Sequence, residues 1–346
     1  MLYTTAEPAR VTGEDVRHLV FFSDLGISLN KVIQQKITSG DKVLLRGGRL
    51  GRAEFIHDGV EFAFEKLQEP PGSTELICRS ANPLPAVFDR RVQEALRFMT
   101  FSQVSWSVSQ RISNGSLTIA LAATPSSPSG VLPSPIPEHE GQDFWRLFCC
   151  FLDHVCRHPE TETHHRLTAN LTLLLGLQKI QIETVALALG VATEGILNSE
   201  HPSLATPATK FLAVLAQLDK LASRIKCEYP KLKVRVQGAI RAMSERRPKD
   251  ALLYLRERGI ISKDQFKAWD ELRNSAAHAA VIDEDNLQER ITQCFKLYEL
   301  ILILTFLAVG YTGKYRQTSL PGWPIGVFEK TAADLAPIVS DSAKLE

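Results

Sequence analysis

The segment ATPSSPSGVLPSPIPEHEGQ at residues 123–142 divides the chain into two parts with different sequence patterns. It contains five prolines and few residues that could anchor a core, so it predicts a semi-rigid linker. A chain of 346 residues is long enough to form two domains, each with its own core. We therefore predict an N-terminal domain at residues 1–122 and a second domain at residues 143–346.

On the N-terminal side of the linker, short β-branched and aromatic runs alternate with glycine turns. Such runs flank His57-Asp58-Gly59 and Asn114-Gly115, and each arrangement predicts a β-hairpin. Between them, residues 88–98 repeat apolar side chains on one side and charged ones on the other, which predicts one amphipathic helix with its charges facing away from the core. The N-terminal domain is therefore predicted to be α+β with an antiparallel sheet.

On the C-terminal side of the linker, apolar residues recur with the 3.6-residue period of an α-helix. The pattern predicts helices at residues 144–156, 163–175, 178–197, 205–225, 249–258, 263–277 and 286–309. Residues 232–236 alternate as a strand would, but the surrounding pattern favours a helix. The second domain is predicted to be an all-α helical bundle.

The composition is that of a folded, water-soluble protein, with 44% hydrophobic and 23% charged residues. Forty basic and thirty-nine acidic side chains give no chain-wide positive field, which argues against a protein that coats nucleic acid. The N-terminus lacks a secretion signal, so a cytoplasmic location with free thiols is expected. The apolar stretch 300–309 is too short to span a bilayer, and we predict a buried core helix and no membrane association.

The segment Arg273-Asn274-Ser-Ala-Ala-His278 carries the residue types that can cut a phosphodiester without a metal. Histidine can accept the proton of a 2′-hydroxyl, and arginine presents a planar cation to the charge that develops on phosphate. The spacing alone is weak, because Arg52 and His57 share it in a predicted hairpin. Five residues turn a helix through about 140°, so Arg273 and His278 converge if the helix loosens or a second chain supplies a partner.

The helical context of this motif resembles the HEPN domains, in particular the ApeA-like HEPN group of bacterial defence proteins. The resemblance covers residues 165–325. It rests on Leu272-Arg273-Asn274-x3-His278, on ALLYLRERGII at 251–261 and on the long apolar helix that follows. Similar features are the tail motifs at 310–315 and 321–324 and the acidic residue Glu194.

The resemblance implies a bundle that dimerises, so that two motifs face each other across a groove and cut RNA without a metal or cofactor. Arg273 would hold the scissile phosphate, and Asn274 would orient either the histidine or the phosphate. His278 would act as general base or acid, and Glu194 would support the site from an earlier helix of the bundle.

A strongly basic stretch indicates where RNA would bind. Nine basic and two acidic side chains lie between residues 224 and 249, whereas residues 270–299 carry three basic and seven acidic ones. Basic side chains beside the motif could guide RNA through phosphate contacts. The predicted RNA-binding residues are Lys231, Lys233, Arg235 and Arg241. The alternative is a solvated helix face that the acidic stretch balances.

Cysteines and histidines crowd residues 149–165, which raises the question of a zinc site. Their spacings do not match a paired Cys-x2-Cys knuckle. Cys149, Cys150 and Cys156 lie among apolar residues, as small core side chains do. We therefore favour core packing over a ligand set and predict no metal.

Together with the motif at Arg273, the resemblance to HEPN domains implies a homodimeric, metal-independent endoribonuclease of bacterial antiphage or stress defence. Its N-terminal domain is expected to sense a protein or phage-derived trigger and to restrain the nuclease. The alternative is a non-catalytic HEPN-like module for ligand sensing or protein interaction. In that case Arg273 pairs with Asp270 or Glu271 on its own helix, and His278 caps the helix end.

Overall fold

The computed structural model describes the chain between residues 14 and 335, with gaps. Outside the described residues lie 1–13, 23–24, 26, 28, 30–34, 40–41, 47–50, 68–71, 114–115, 123–131, 138–139, 158–163, 176, 178–179, 205–208, 225–229, 245–246, 278–285 and 336–346. The side chains of residues 35–39, 42–46, 209–210, 274–277 and 332 also lie outside the description.

A six-stranded antiparallel sheet forms the N-terminal part of the fold, with strand order β4-β5-β6-β1-β7-β8. A separate hairpin pairs β2 with β3. In chain order the strands are β1 (Asp15–Phe21), β2 (Gln35–Ser39), β3 (Lys42–Arg46), β4 (Arg52–His57), β5 (Val60–Lys66), β6 (Thr74–Ser80), β7 (Val108–Ser113) and β8 (Ser116–Leu121). Helix α1 (Phe88–Thr100) lies between β6 and β7 in the chain. The predicted α+β fold with two hairpins, now β4–β5 and β7–β8, is confirmed.

Alternate side chains of a strand point to the same side of a sheet, and in β1, β4, β5 and β6 the side chains on one side are buried. Phe62 and Phe64 of β5 lie on this face. Helix α2 (Gly141–Cys156) packs there, with the Trp145 ring 4.7 Å from Phe64 and the Phe148 ring 5.9 Å from Phe62. The first helix after the predicted linker therefore shares a core with the sheet.

Eight helices follow the sheet in the described part of the chain. After α2 come α3 (Arg166–Leu175), α4 (Ile182–Glu200), α5 (Thr209–Arg224), α6 (Pro230–Ser244), α7 (Pro248–Glu257), α8 (Lys263–Ala277) and α9 (Leu287–Val309). Residues 232–236 lie inside α6, so the helical interpretation of that segment is confirmed.

Helix α9 forms the centre of the helical region. Its length and mean hydropathy of 1.6 would allow it to cross a membrane, but 67% of its most apolar window is buried inside the fold. It packs against α2, α4 and α8. The prediction of a buried helix at residues 300–309 is confirmed for Leu300 to Leu307, all of which are buried.

A short hairpin follows α9, so the prediction of an entirely helical second region is wrong here. Strands β9 (Gly313–Arg316) and β10 (Ile325–Phe328) pair antiparallel. Tyr315 and Phe328 pack their rings 5.6 Å from that of Phe306 on α9. These strands of four residues are too short for a readable alternation, and packing against α9 places them.

The described part of the predicted linker is packed against the helical region. Leu132 and Ile136 are buried, and the Pro133 carbonyl accepts a hydrogen bond from the Tyr298 hydroxyl. The Pro135 carbonyl accepts another from the backbone N–H of Arg316. Residues 132–137 are thus held by the fold, while the division into two domains stays a prediction.

Candidate functional site

The predicted site residues Arg273 and Glu194 lie in contact, although 79 residues separate them in the chain. Helix α8 packs against α4, and the Arg273 Nε donates a hydrogen bond to the Glu194 Oε1 at 2.5 Å. The Arg273 side chain is 52% exposed and that of Glu194 is 29% exposed. The structure therefore brings the predicted supporting carboxylate to the predicted phosphate-binding cation at the protein surface.

Trp269 forms a platform beneath the guanidinium. It lies one helical turn before Arg273 on α8 and is 1% exposed. The centre of the guanidinium lies 5.6 Å from the centroid of the indole ring, within reach of a cation–π contact. Trp269 beneath and Glu194 at Nε hold the arginine from two sides. Such a cation can meet an anion from solvent with little loss of side-chain entropy.

The acidic neighbours of Arg273 on its own helix have other partners. Asp270 accepts hydrogen bonds from the Lys249 ammonium at 3.0 and 3.1 Å. Glu271 accepts one from the Gln293 side-chain amide at 2.9 Å. The alternative in which Arg273 pairs with Asp270 or Glu271 is therefore wrong, because Glu194 of α4 takes that place.

The other two members of the motif are described in part or not at all. Asn274 belongs to helix α8, and its side chain lies outside the described residues. His278 also lies outside them. The convergence of Arg273 and His278, whether within one chain or between two, stays a prediction.

The four predicted RNA-binding residues lie on α6. Lys231, Arg235 and Arg241 are exposed. Lys233 is partly buried and donates a hydrogen bond from its ammonium to the Ser223 carbonyl of α5, at 2.5 Å. In the described part of the chain α6 packs mainly against α5, whereas α8, which carries Arg273, packs mainly against α9 and α4. The basic surface and the arginine therefore lie on different helices of this region.

The crowded cysteine and histidine segment resolves into two groups. Burial raises the pKa of Cys149 and of Cys156 to about 12, so both stay protonated thiols at neutral pH. His154 of α2 and His165 instead lie beside Glu200, the last residue of α4, with ligand atoms of all three within 4.8 Å of one another. Sequence reasoning missed Glu200, because a carboxylate so distant in the chain carries no local signal.

The chain was compared with known proteins at the level of both sequence and fold. No family model, curated protein or solved structure matches it. The site is therefore interpreted from its own residues.

Proposed function

We propose that the chain is a metal-independent endoribonuclease with a HEPN-like helical domain, acting as a cytoplasmic homodimer in bacterial antiphage or stress defence. The observation that carries the proposal is the half-exposed Arg273 guanidinium, held over Trp269 and oriented at Nε by Glu194. A planar cation fixed on a stiff helix is suited to bind phosphate and to stabilise the charge of a phosphoryl transition state.

The residues of the motif supply the remaining chemistry. His278 accepts the proton of a ribose 2′-hydroxyl, whose oxygen attacks the adjacent phosphorus while the bond to the 5′-oxygen breaks. The leaving oxygen takes a proton from the conjugate acid, which is His278 of the same or the second chain. The products are a 2′,3′-cyclic phosphate and a free 5′-hydroxyl. Asn274 orients the histidine or the phosphate.

Two surfaces support the proposed partners. The exposed side chains Lys231, Arg235 and Arg241 of α6 offer phosphate contacts to RNA. Strand β8 is an exposed edge of the sheet and presents Leu117 and Leu121 to solvent. An exposed apolar edge strand is a place where an extended peptide can add to a sheet, so β8 suits a protein trigger.

The experiment is an RNA cleavage assay with the full-length protein. Arg273→Ala and His278→Ala should each slow cleavage by about 10²- to 10⁴-fold, and the products of the wild type should end in a 2′,3′-cyclic phosphate. The matched controls are Arg52→Ala, which removes an arginine of the N-terminal sheet paired with Glu65, and His164→Ala, which removes a half-exposed histidine. Cleavage that survives both motif substitutions in folded protein would overturn the assignment.

Dimerisation has its own test. Phe211, Val214, Leu218 and Leu221 recur along one face of α5, and each is about half exposed. A contiguous apolar face of this kind is typical of an interaction surface. Leu218→Asp should shift the protein to a monomer in light-scattering measurements without unfolding it, and cleavage should fall with it. A wild-type protein that is monomeric at micromolar concentration would contradict the dimer.

The second candidate function is a non-catalytic HEPN-like module for ligand sensing or protein interaction. The ion pair with Glu194 favours it, because a carboxylate at 2.5 Å already partly neutralises Arg273. In that case His278→Ala leaves any effect of the protein on RNA unchanged. Glu194→Gln separates the two functions further: a positioning role predicts a lower rate at saturating RNA with unchanged RNA affinity.

A further inference from the structure

Three polar side chains from distant parts of the chain meet beneath the surface, away from the Arg273 site. His154 lies in the last turn of α2, His165 directly precedes α3, and Glu200 ends α4. The His154 Nε2 lies 2.9 Å from the Glu200 Oε2. The two imidazole rings meet edge to face with centroids 5.0 Å apart. This polar cluster therefore connects the C-terminal ends of α2 and α4 with the start of α3.

The cluster is largely withdrawn from water. His165 is 1% exposed, and the side chains of His154 and Glu200 are 16% and 6% exposed. A buried carboxylate is unfavourable unless a positive charge or hydrogen bonds compensate for its lost hydration. The His154 Nε2, at hydrogen-bond distance of 2.9 Å from the Glu200 Oε2, supplies part of this compensation.

We propose that His154, His165 and Glu200 form a binding site for Zn²⁺. Two neutral imidazoles and one carboxylate are a ligand set that zinc prefers, and softer or harder ions fit it less well. In a tetrahedral site with bonds of about 2.0–2.1 Å, ligand atoms lie about 3.3 Å apart. The observed separations, 2.9 Å for His154 and Glu200 and at most 4.8 Å for the whole set, bracket that value.

The tautomer of His165 decides which of its atoms binds. Its Nδ1 accepts a hydrogen bond from the backbone N–H of Leu167 at 3.2 Å, so the proton of the neutral ring lies on Nε2 in the observed arrangement, and binding of a metal through Nε2 requires that proton to move to Nδ1. A ring that binds metal through Nε2 carries its proton on Nδ1. The contact with Leu167 therefore gives way when the metal binds, and the start of α3 adjusts locally.

His164 provides a contrast next to the cluster. It is adjacent to His165 in the chain, but its side chain is half exposed and its Nδ1 lies 3.5 Å from Glu94 of α1 rather than near Glu200. Cys156 is likewise no ligand, because its sulfur is not among the ligand atoms that lie within 4.8 Å of one another. The ligand set is therefore His154, His165 and Glu200, with a fourth position for water.

The site would fix one end of α4 to α2 and to the start of α3. Glu200 lies six residues after Glu194 on the same helix, a distance of about 9 Å along its axis. Zinc would thus hold the helix that carries the partner of Arg273 against the helix that covers the sheet. This role is structural, and it stands whether or not the chain cleaves RNA.

The experiment is a metal titration of the full chain after dialysis against a chelator. Zn²⁺ should bind with one equivalent per chain and raise the melting temperature, and Co²⁺ should give the visible absorption of a tetrahedral site. Loss of an outer partner of a metal ligand already costs about 10- to 100-fold in affinity. Glu200→Gln, which preserves side-chain size, and His154→Ala should therefore weaken Zn²⁺ binding by at least that factor, while His164→Ala should not.

Two results would overturn the site. One is a wild-type chain that binds neither equimolar Zn²⁺ nor Co²⁺ at neutral pH, which would leave the cluster as a metal-free hydrogen-bonded group. The other is Zn²⁺ binding that Glu200→Gln and His154→Ala leave unchanged. The first result is measured on the wild-type chain, so it tests the proposal even if neither variant folds.

Discussion

Two of the carboxylates of helix α4 lie in contrasting settings. Glu194 meets Arg273 at the surface, where the arginine side chain is 52% exposed. Glu200, six residues later, meets His154 and His165 in a place from which water is largely excluded. The same residue type on one helix is thus part of an open ion pair and of a closed polar cluster.

The comparison shows that burial determines which role a pair of polar side chains can have. An exposed pair contributes little to stability, because water and salt screen it, but its cation stays accessible to a phosphate. A buried pair is stabilising only while its partners stay together, since neither group can turn to water. In the Glu194 pair, a phosphate can therefore take the place of the carboxylate at Arg273. The Glu200 cluster instead holds its helices together.

The largest expected effect is on stability at the buried cluster. Glu200→Ala removes the acceptor of His154 and should lower the free energy of unfolding by about 1–3 kcal/mol, the cost of an unpartnered buried group. Glu194→Ala should cost less than about 1 kcal/mol, as exposed pairs do. Urea denaturation in a chelating buffer measures both. Equal costs for the two substitutions would remove the proposed contrast.

Acid pH should erase the contribution of Glu200. Its pKa is lowered in the folded state, so the carboxylate stabilises the fold above its ordinary value near 4.5, and this stability is lost as pH falls through the lower folded value. The difference in unfolding free energy between wild type and Glu200→Gln should shrink as the pH is lowered below about 4.5. A difference that stays constant down to the acid unfolding transition would mean that no ionised carboxylate is involved.

Salt should act on the surface pair and leave the buried one nearly unchanged. Raising the ionic strength from about 0.1 M to about 1 M shortens the screening length from about 10 Å to about 3 Å. The small destabilisation caused by Glu194→Gln should therefore decline in high salt, whereas that of Glu200→Gln should persist. Parallel urea titrations at the two salt concentrations test this, and the same salt response for both variants would count against it.

The smallest effect is expected at a third pair of intermediate exposure. His57 of β4 lies 2.7 Å from Asp153 of α2, and this hydrogen bond raises the pKa of His57. Its contribution is complete below the ordinary value of about 6.5 and is lost as pH rises through the higher folded value. His57→Gln should cost about 0–1 kcal/mol at pH 6 and less at pH 9. A cost that grows with pH would contradict the prediction that the His57–Asp153 pair loses its stabilising effect as the pH rises.

Much of the secondary structure could be predicted because it depends on local periodicity. Helix α8 was expected at 263–277 and begins and ends at those residues. The hairpin around His57 was expected from its turn residues and is formed by β4 and β5. A period of 3.6 residues or an Asp-Gly turn depends on neighbouring residues, so it can be recognised without any tertiary contact.

Helix α1 shows where periodicity was insufficient. Its charged residues were expected to face away from the core, but Arg91 and Glu94 are each 1% exposed. They pair with each other, and the Glu94 carboxylate also accepts a hydrogen bond from the Thr168 hydroxyl of α3. A charged face can be buried when a partner helix supplies polar groups, and no pattern within α1 reveals that partner.

The residues of the candidate site also differ in whether the local sequence reveals them. Arg273 and Asn274 could be selected because they follow each other on a predicted helix, and the resemblance to HEPN domains added Glu194. His154 and His165 lie in the segment that raised the question of a zinc site, but Glu200 could not be selected, since His154 and Glu200 are 46 residues apart. These three residues come together when their helices pack, so the ligand set can be recognised in the tertiary structure and not in the sequence.

The sequence by itself determined the hairpins β4–β5 and β7–β8, the helices that follow the sheet, the apolar centre of α9 and the motif at Arg273, because these follow from the spacing of neighbouring side chains. The tertiary structure alone decided which charges are buried and which partner each one meets. The reason is physical: pairing and burial depend on the dielectric surroundings that several distant elements create together. In this chain that difference separates an accessible arginine at Glu194 from the buried cluster at Glu200.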